Sequence, residues 1–91
     1  MNDKLQLDIR HDTVRHRFSA NVEGHDCFVE YVQQDDVLRI FSTQVPTAVG
    51  NRGIAAALTE HALQYAEAHA LSIDPVCPYT AAYLRRRAAR G

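Results

Sequence analysis

Apolar and polar residues alternate with period two through most of the first half of the chain. Leu5, Leu7 and Ile9 alternate with Gln6 and Asp8, the pattern of a half-buried strand. After "HDT" (11–13) the alternation resumes. Phe18, Ala20 and Val22 fall on one face, with Arg17, Ser19 and Asn21 on the other. "EGHD" (23–26) then supplies turn residues. Cys27 to Val32 is rich in β-branched and aromatic side chains, which suit a pleated, half-buried surface. "QQDD" (33–36) marks a second turn, and Val37 to Val45 forms the next strand. Strands joined by such short turns predict an antiparallel meander.

At Pro46 the period changes. Ile54, Leu58, Ala62 and Tyr65 follow helical spacing and make one apolar stripe. Ala55, Ala56, Ala57 and Ala66 add helix propensity. The spacing predicts a helix over 52–69. "LSIDPV" (71–76) is a short strand ended by a proline-containing break, and "PYTAAYLRRRAAR" (78–90) is a second helix with Pro78 in its first turn. Four strands, a helix, a strand and a helix predict an α+β fold with a mostly antiparallel sheet.

At 91 residues the chain is expected to form one domain over 1–91. A domain of this size has a limited core, so a homodimer would be a reasonable supplement. The charge balance narrows the partners. A net charge of −1 lacks the basic footprint of a dedicated nucleic-acid binder. No run approaches the roughly 18 apolar residues of a membrane span. "MNDKLQLDIR" is polar and has no apolar signal core, which predicts a cytoplasmic address. Cys27 and Cys77 form no CxxC and are expected as thiols. The histidines show no HxxxH or HExxH spacing, so no metal site is expected.

The segment that carries chemistry is "TQVPTAVGNRGIAAAL" (43–58). The first N–H groups of a helix lack intrahelical partners, and the helix dipole is positive there. Gly50 and Gly53 remove side chains, so a ligand can approach the backbone, and a pyrophosphate fits such a site. Arg52 adds a cation. Pro46 has no ladder donor, which leaves the main-chain groups of Val45 free for a ligand. A plainer reading stands beside this one: Gly50 and Asn51 form a turn, and Gly53 allows tight helix–sheet packing.

The order of elements, with "STQVPTAVGNRGIAAALTEHALQYAEAHALSIDPVCPYTAAYL" (42–84) at its centre, resembles the GNAT N-acetyltransferase superfamily, in particular its small single-domain branch. In that branch a T-E-V-P segment leads into R-G-x-G-I-A, an alanine-rich helix and a P-x-C-x-Y/F segment. The resemblance implies an enzyme that moves acetyl from acetyl-CoA, its cosubstrate, to an amine acceptor by direct attack. It implies that Val49, Gly50, Asn51, Arg52, Gly53, Ile54 and Ala55 hold the pyrophosphate, with the pantetheine arm beside Val45. A tyrosine on the last helix would protonate the leaving thiolate; Tyr83 matches best by position and Tyr79 second. Cys77, between two prolines after the fifth strand, falls in the P-x-C pattern and is a candidate acid, base or nucleophile. Packing roles for Tyr83 and Cys77 remain equally open.

Three departures stand out. The superfamily signature starts with Gln or Arg where this chain has Gly50. The branch carries an acid where this chain has Gln44, and an amide is no general base. The branch often ends in a His-Pro pair, whereas this chain ends "RRRAARG". The four arginines of that end complement a helix C-terminus, with a contact to the ribose phosphate of CoA as a second reading. Gly50 and Gln44 keep a second function in view, a non-catalytic acyl-CoA binding or sensor module.

Overall fold

The computed structural model describes residues 7–90. It contains β1 (Arg10–Asp12), β2 (Arg17–Val22), β3 (His25–Gln34), β4 (Val37–Gln44), a 3₁₀ turn (Thr47–Val49), α1 (Ile54–Ala68), β5 (Ser72–Pro75) and α2 (Pro78–Ala89). The strands form one sheet in chain order. Its first three pairings are antiparallel and β4–β5 is parallel, bridged by α1. The expected α+β fold with a mostly antiparallel sheet is what the chain forms, and the structure adds that the fifth strand joins it parallel to β4 through a strand–helix–strand crossover.

The differences lie at the strand ends. The first strand was expected around Leu5, Leu7 and Ile9. Leu5 lies outside the described residues, while Leu7 and Ile9 precede the ladder and pack partly buried against the core. Pairing starts at Arg10, opposite Ser19. His11 and Asp12 of the "HDT" segment pair in β1, and the turn starts at Thr13, where the Asp12 carboxylate accepts the N–H groups of Val14 (3.0 Å) and Arg15 (2.9 Å). β3 runs longer than Cys27–Val32 because each flanking turn needs only two residues. Glu23 and Gly24 both have positive φ (52° and 82°), the backbone of a tight twisted hairpin turn.

One irregularity reorients β4. Glu30 pairs with Ser42 but Tyr31 pairs with Ile40, so Phe41 is an extra residue without a cross-strand partner. Such a bulge flips the in–out alternation beyond it. Partners across a ladder share a face. Ile40 thus faces inward with Tyr31, and beyond the bulge Thr43 faces inward with Val29.

Both helices cover that inner face. Phe18, Ala20, Val29, Tyr31, Leu38 and Ile40 pack against Ile54, Leu58, Ala62 and Ala66 of α1, and Cys77, just before α2, and Tyr79 of α2 join the same cluster. At the far end of α1, His11 stacks on Phe18 (4.1 Å between centroids) and hydrogen-bonds the Tyr31 hydroxyl. Burial, then the neighbouring His61 and His69, hold its pKa below the usual imidazole value.

α1 stops at a strained residue. Its end is closed by the Leu71 N–H to the Ala66 carbonyl (2.8 Å), with exposed Ala70 at φ 57°. This left-handed position normally belongs to glycine. Ala70→Gly is expected to raise stability by about 1 kcal/mol, measured as a higher urea midpoint at unchanged slope. A lower midpoint would show that the strain is offset elsewhere.

Candidate active site

β4 and β5 part company early. Their ladder ends at Ile40 opposite Pro75. One further backbone bond follows, from the Cys77 N–H to the Ile40 carbonyl (2.9 Å). Beyond it β4 continues to Gln44 along β3 alone. Val45 lies past both ladders, and among the described residues no backbone–backbone hydrogen bond uses its main-chain groups. Proline at 46 cannot extend the ladder. The chain instead makes the 3₁₀ turn, closed by Val49 N–H to Pro46 C=O (3.0 Å) and Gly50 N–H to Thr47 C=O (3.1 Å).

The segment then passes through two left-handed residues, Asn51 (φ 61°) and Gly53 (φ 78°), before α1 begins. Gly53 occupies the N-cap position, where a side chain would ordinarily bond the first N–H groups. Here no side chain does so. The first intrahelical bond is Ala57 N–H to Gly53 C=O at 3.0 Å. The N–H groups of Ile54, Ala55 and Ala56 therefore have no partner within the helix. A Cβ built on Gly53 would meet nothing within 4 Å, so its α-carbon faces open space.

These features converge on one cleft of about 290 Å³, lined by Val45, Gly50, Asn51, Gly53, Ile54, Ala55, Ala56 and Tyr79. Most of the residues expected at a cofactor site are thus brought together. Two are placed elsewhere. Val49 is fully buried and anchors the 3₁₀ turn in the core. Arg52 turns to the β2–β3 hairpin, where its guanidinium meets both carboxylate oxygens of Glu23 (2.6 and 3.2 Å). That hydrogen bond, reinforced by the charge, holds the Glu23 carboxyl below its usual range. Ala56 joins the cleft as the third unpartnered N–H of the helix, countable from the sequence once the start is fixed at Ile54.

The three candidate catalytic side chains occupy different settings. Tyr79 is half-buried and lines the cleft. Tyr83 does not line it, and its hydroxyl donates to Glu60 Oε1 at 2.7 Å. Arg87 forks onto the same carboxylate through Nε and Nη2, both at 2.9 Å. Burial first, then the Glu60 carboxylate, push the Tyr83 phenol upward. Cys77 is buried as the residue just before α2, and its Sγ lies 3.4 Å from the Thr43 hydroxyl.

Burial alone would raise the Cys77 thiol. The Thr43 hydroxyl and the N–H groups of Thr80 and Tyr79 outweigh it, and the net shift is downward. The Thr80 hydroxyl adds a smaller effect of the same sign, although it is buried and makes no hydrogen bond within ordinary limits. A thiolate at a helix N-terminus is stabilised in this way. Cys27 behaves oppositely: fully buried in β3, its thiol is pushed up by desolvation. Sequence reasoning missed Thr43, because the bulge at Phe41 decides which way it faces.

The family described as GCN5-related N-acetyl-transferase matches residues 17–89, from the start of β2 to the end of α2. The chain belongs to that family. The match supports acetyl transfer as its general chemistry, with acetyl-CoA as the family's usual acetyl source. Among the described residues, no group of three or more His, Cys, Asp or Glu is placed to hold a metal ion, and no helix is long and apolar enough to cross a membrane.

The thiol environment is testable. Thr43→Val removes a hydroxyl that favours the thiolate, so the Cys77 titration midpoint is expected to rise. Ultraviolet thiolate absorbance against pH, in a Cys27→Ala background, measures it. An unchanged midpoint would remove Thr43 as the cause.

Proposed function

We propose that this protein is an N-acetyltransferase that carries acetyl from acetyl-CoA to an amine. The observation that carries the reading is the uncapped start of α1, whose N–H groups open into the cleft beside Gly53. An anion is stabilised there by unpartnered donors and the helix dipole together. Backbone N–H groups of Asn51, Gly53, Ile54, Ala55 and Ala56 would hold the pyrophosphate, needing no particular side chain, with Gly50, whose N–H closes the 3₁₀ turn on Thr47, forming a wall of the cleft. The Gly50 departure from the superfamily signature is tolerated for that reason. Arg52 acts indirectly, by tying the loop to the β2–β3 turn through Glu23. The free main-chain groups of Val45 would receive the pantetheine arm.

Acetyl-CoA supplies an activated thioester carbonyl. The chain's own residues must orient it, donate to its oxygen and manage two protons. The Val45 N–H is the available backbone donor at the strand end. Tyr79, whose side chain borders the cleft, is assigned the proton for the departing thiolate. Tyr83 is assigned a positioning role, because its hydroxyl is committed to Glu60 and its ring stacks near that of Tyr79 (6.3 Å). Cys77, with its lowered thiol, is assigned the proton leaving the amine. Gln44 is exposed at the end of β4 and cannot act as a base. That amide favours a second reading, a binding or sensor module without turnover.

Calorimetric titration with acetyl-CoA, CoA and ATP tests the first step. Saturable binding of both CoA species, well above ATP, supports the cleft assignment. Absence of binding at millimolar ligand overturns it. Gly53→Ala puts a side chain at φ 78° and into the open space of the cleft. It is expected to cost about 1–2 kcal/mol of stability and to weaken CoA binding about tenfold or more. Undiminished affinity would remove the loop from the site.

Amine-dependent release of CoA thiol separates enzyme from module. Cys77→Ala should keep CoA affinity while lowering that rate and abolishing its low-pH limb. Equal turnover would return Cys77 to a packing role.

A further inference from the structure

Transfer to an amine needs an approach for the acceptor, and the sheet leaves one side of the β4–β5 split open. Both helices pack on the inner face, and Tyr79, a wall of the cleft, comes from that side. Thr43 and Cys77 meet across the split there, 3.4 Å apart. The outer face carries no covering layer among the described residues.

The strand register sets two apolar side chains at the outer mouth. Arg39 and Asp74 are ladder partners and meet on the outer face in an exposed 2.8 Å ion pair. Ile40 and Pro75, the last pair, come next, and Ile40 faces inward. Alternation then returns Phe41 and Val76 to the outer face. They are 45% and 54% exposed, one on each strand, just past the point of separation. Val32 of β3, 41% exposed, is paired with Arg39 and adds to the same face. Among the described residues, Val14 in the β1–β2 turn is the only other large apolar side chain so exposed.

Charges around this mouth neutralise one another. Asp74 is held by Arg39, and Glu30, opposite Ser42, is held by Arg17 at 2.8 Å. Arg17 also lies 4.0 Å over the Phe28 ring, which leaves Phe41 as the uncovered ring beside the split. Ser42 and Gln44 complete this part of β4 and are uncharged. Neither carboxylate is free to hold a polycation. A free one would also keep the acceptor as an ammonium, whereas the attacking amine must be neutral.

We propose that the acceptor is an arylalkyl amine, its primary amine entering the split from the outer face and its ring resting on Phe41 and Val76. The inference rests on the acetyl-CoA reading and names the substrate class for it. The amine nitrogen bonds the acetyl carbon and the carbon–sulfur bond breaks. The proton lost from nitrogen is matched by the one gained by the CoA sulfur. Aromatic contact with Phe41 and burial of apolar surface supply the discrimination.

The test is amine-dependent release of CoA thiol with phenethylamine, propylamine and spermidine. The wild type is expected to show kcat/KM for phenethylamine about tenfold above the other two. Phe41→Ser should lower that value about tenfold, through KM, and leave propylamine within about twofold. Val76→Ser should act in the same direction, and Val14→Ser should change nothing. Unchanged calorimetric affinity of Phe41→Ser for acetyl-CoA shows that its cofactor cleft is intact. Propylamine used as well as phenethylamine, or spermidine used best, overturns the inference and leaves the acetyltransferase reading standing. So does an equal loss for all three amines in Phe41→Ser, which would make Phe41 a support of the strand. A dimer that Phe41→Ser turns into a monomer in sedimentation gives the patch to a second copy and overturns it too. Acetyl-CoA binding without transfer to any of the three amines overturns the inference and favours the sensor module. No acetyl-CoA binding overturns both readings.

Discussion

The Cys77 N–H bond to the Ile40 carbonyl is the last link between the two parallel strands, and the candidate chemistry lies just beyond it. On the near side, β4 is satisfied on both edges. On the far side it keeps β3 and loses β5. Main-chain groups freed in this way must meet water or a ligand, since burying them unpaired is costly. Two sequence features enforce the parting. Proline at 75 closes β5, and proline at 46 ends β4. The residue that makes the last link keeps its own side chain buried, with Sγ against the Thr43 hydroxyl of β4.

That double use of Cys77 explains how its sulfur is held. Its N–H fixes the strand end, its carbonyl accepts the Ala81 N–H in the first turn of α2, and its thiol falls among the first N–H groups of the helix. Thr43 comes from the other strand only because the bulge at Phe41 reverses the alternation. The site is therefore a product of sheet irregularity as much as of its glycines. A regular β4 would aim Gln44 inward and Thr43 at solvent.

Much of this was legible in the chain. Period-two alternation and the break at Pro46 fixed the class and order of elements. Of the residues expected at a cofactor site, Val45, Gly50, Asn51, Gly53, Ile54 and Ala55 do meet around one cleft, while Val49 is buried and Arg52 is bound to the hairpin. Turn lengths were less legible, because a two-residue hairpin at Glu23–Gly24 needs a left-handed glutamate, which composition does not announce. The bulge left no local signal, since Phe41 suits a strand on either face. Which tyrosine borders the cleft was also hidden. Tyr79 and Tyr83 sit one turn apart, and the choice is made by Glu60, a residue of another helix whose pairing with Arg87 draws the Tyr83 hydroxyl away.

The uncapped helix start has one more consequence. Ile54 and Leu58, in its first turns, are buried core residues, and the same helix continues through Ala62 and Ala66 against the inner face of the sheet. Whatever grips the first turn of α1 therefore grips the element on which the core depends. A ligand that binds the native state alone adds its binding free energy to folding, by RT ln(1 + [L]/Kd). Site occupancy and melting temperature are thus two readings of one equilibrium, and a thermal scan across a ligand library becomes an assay of the cleft.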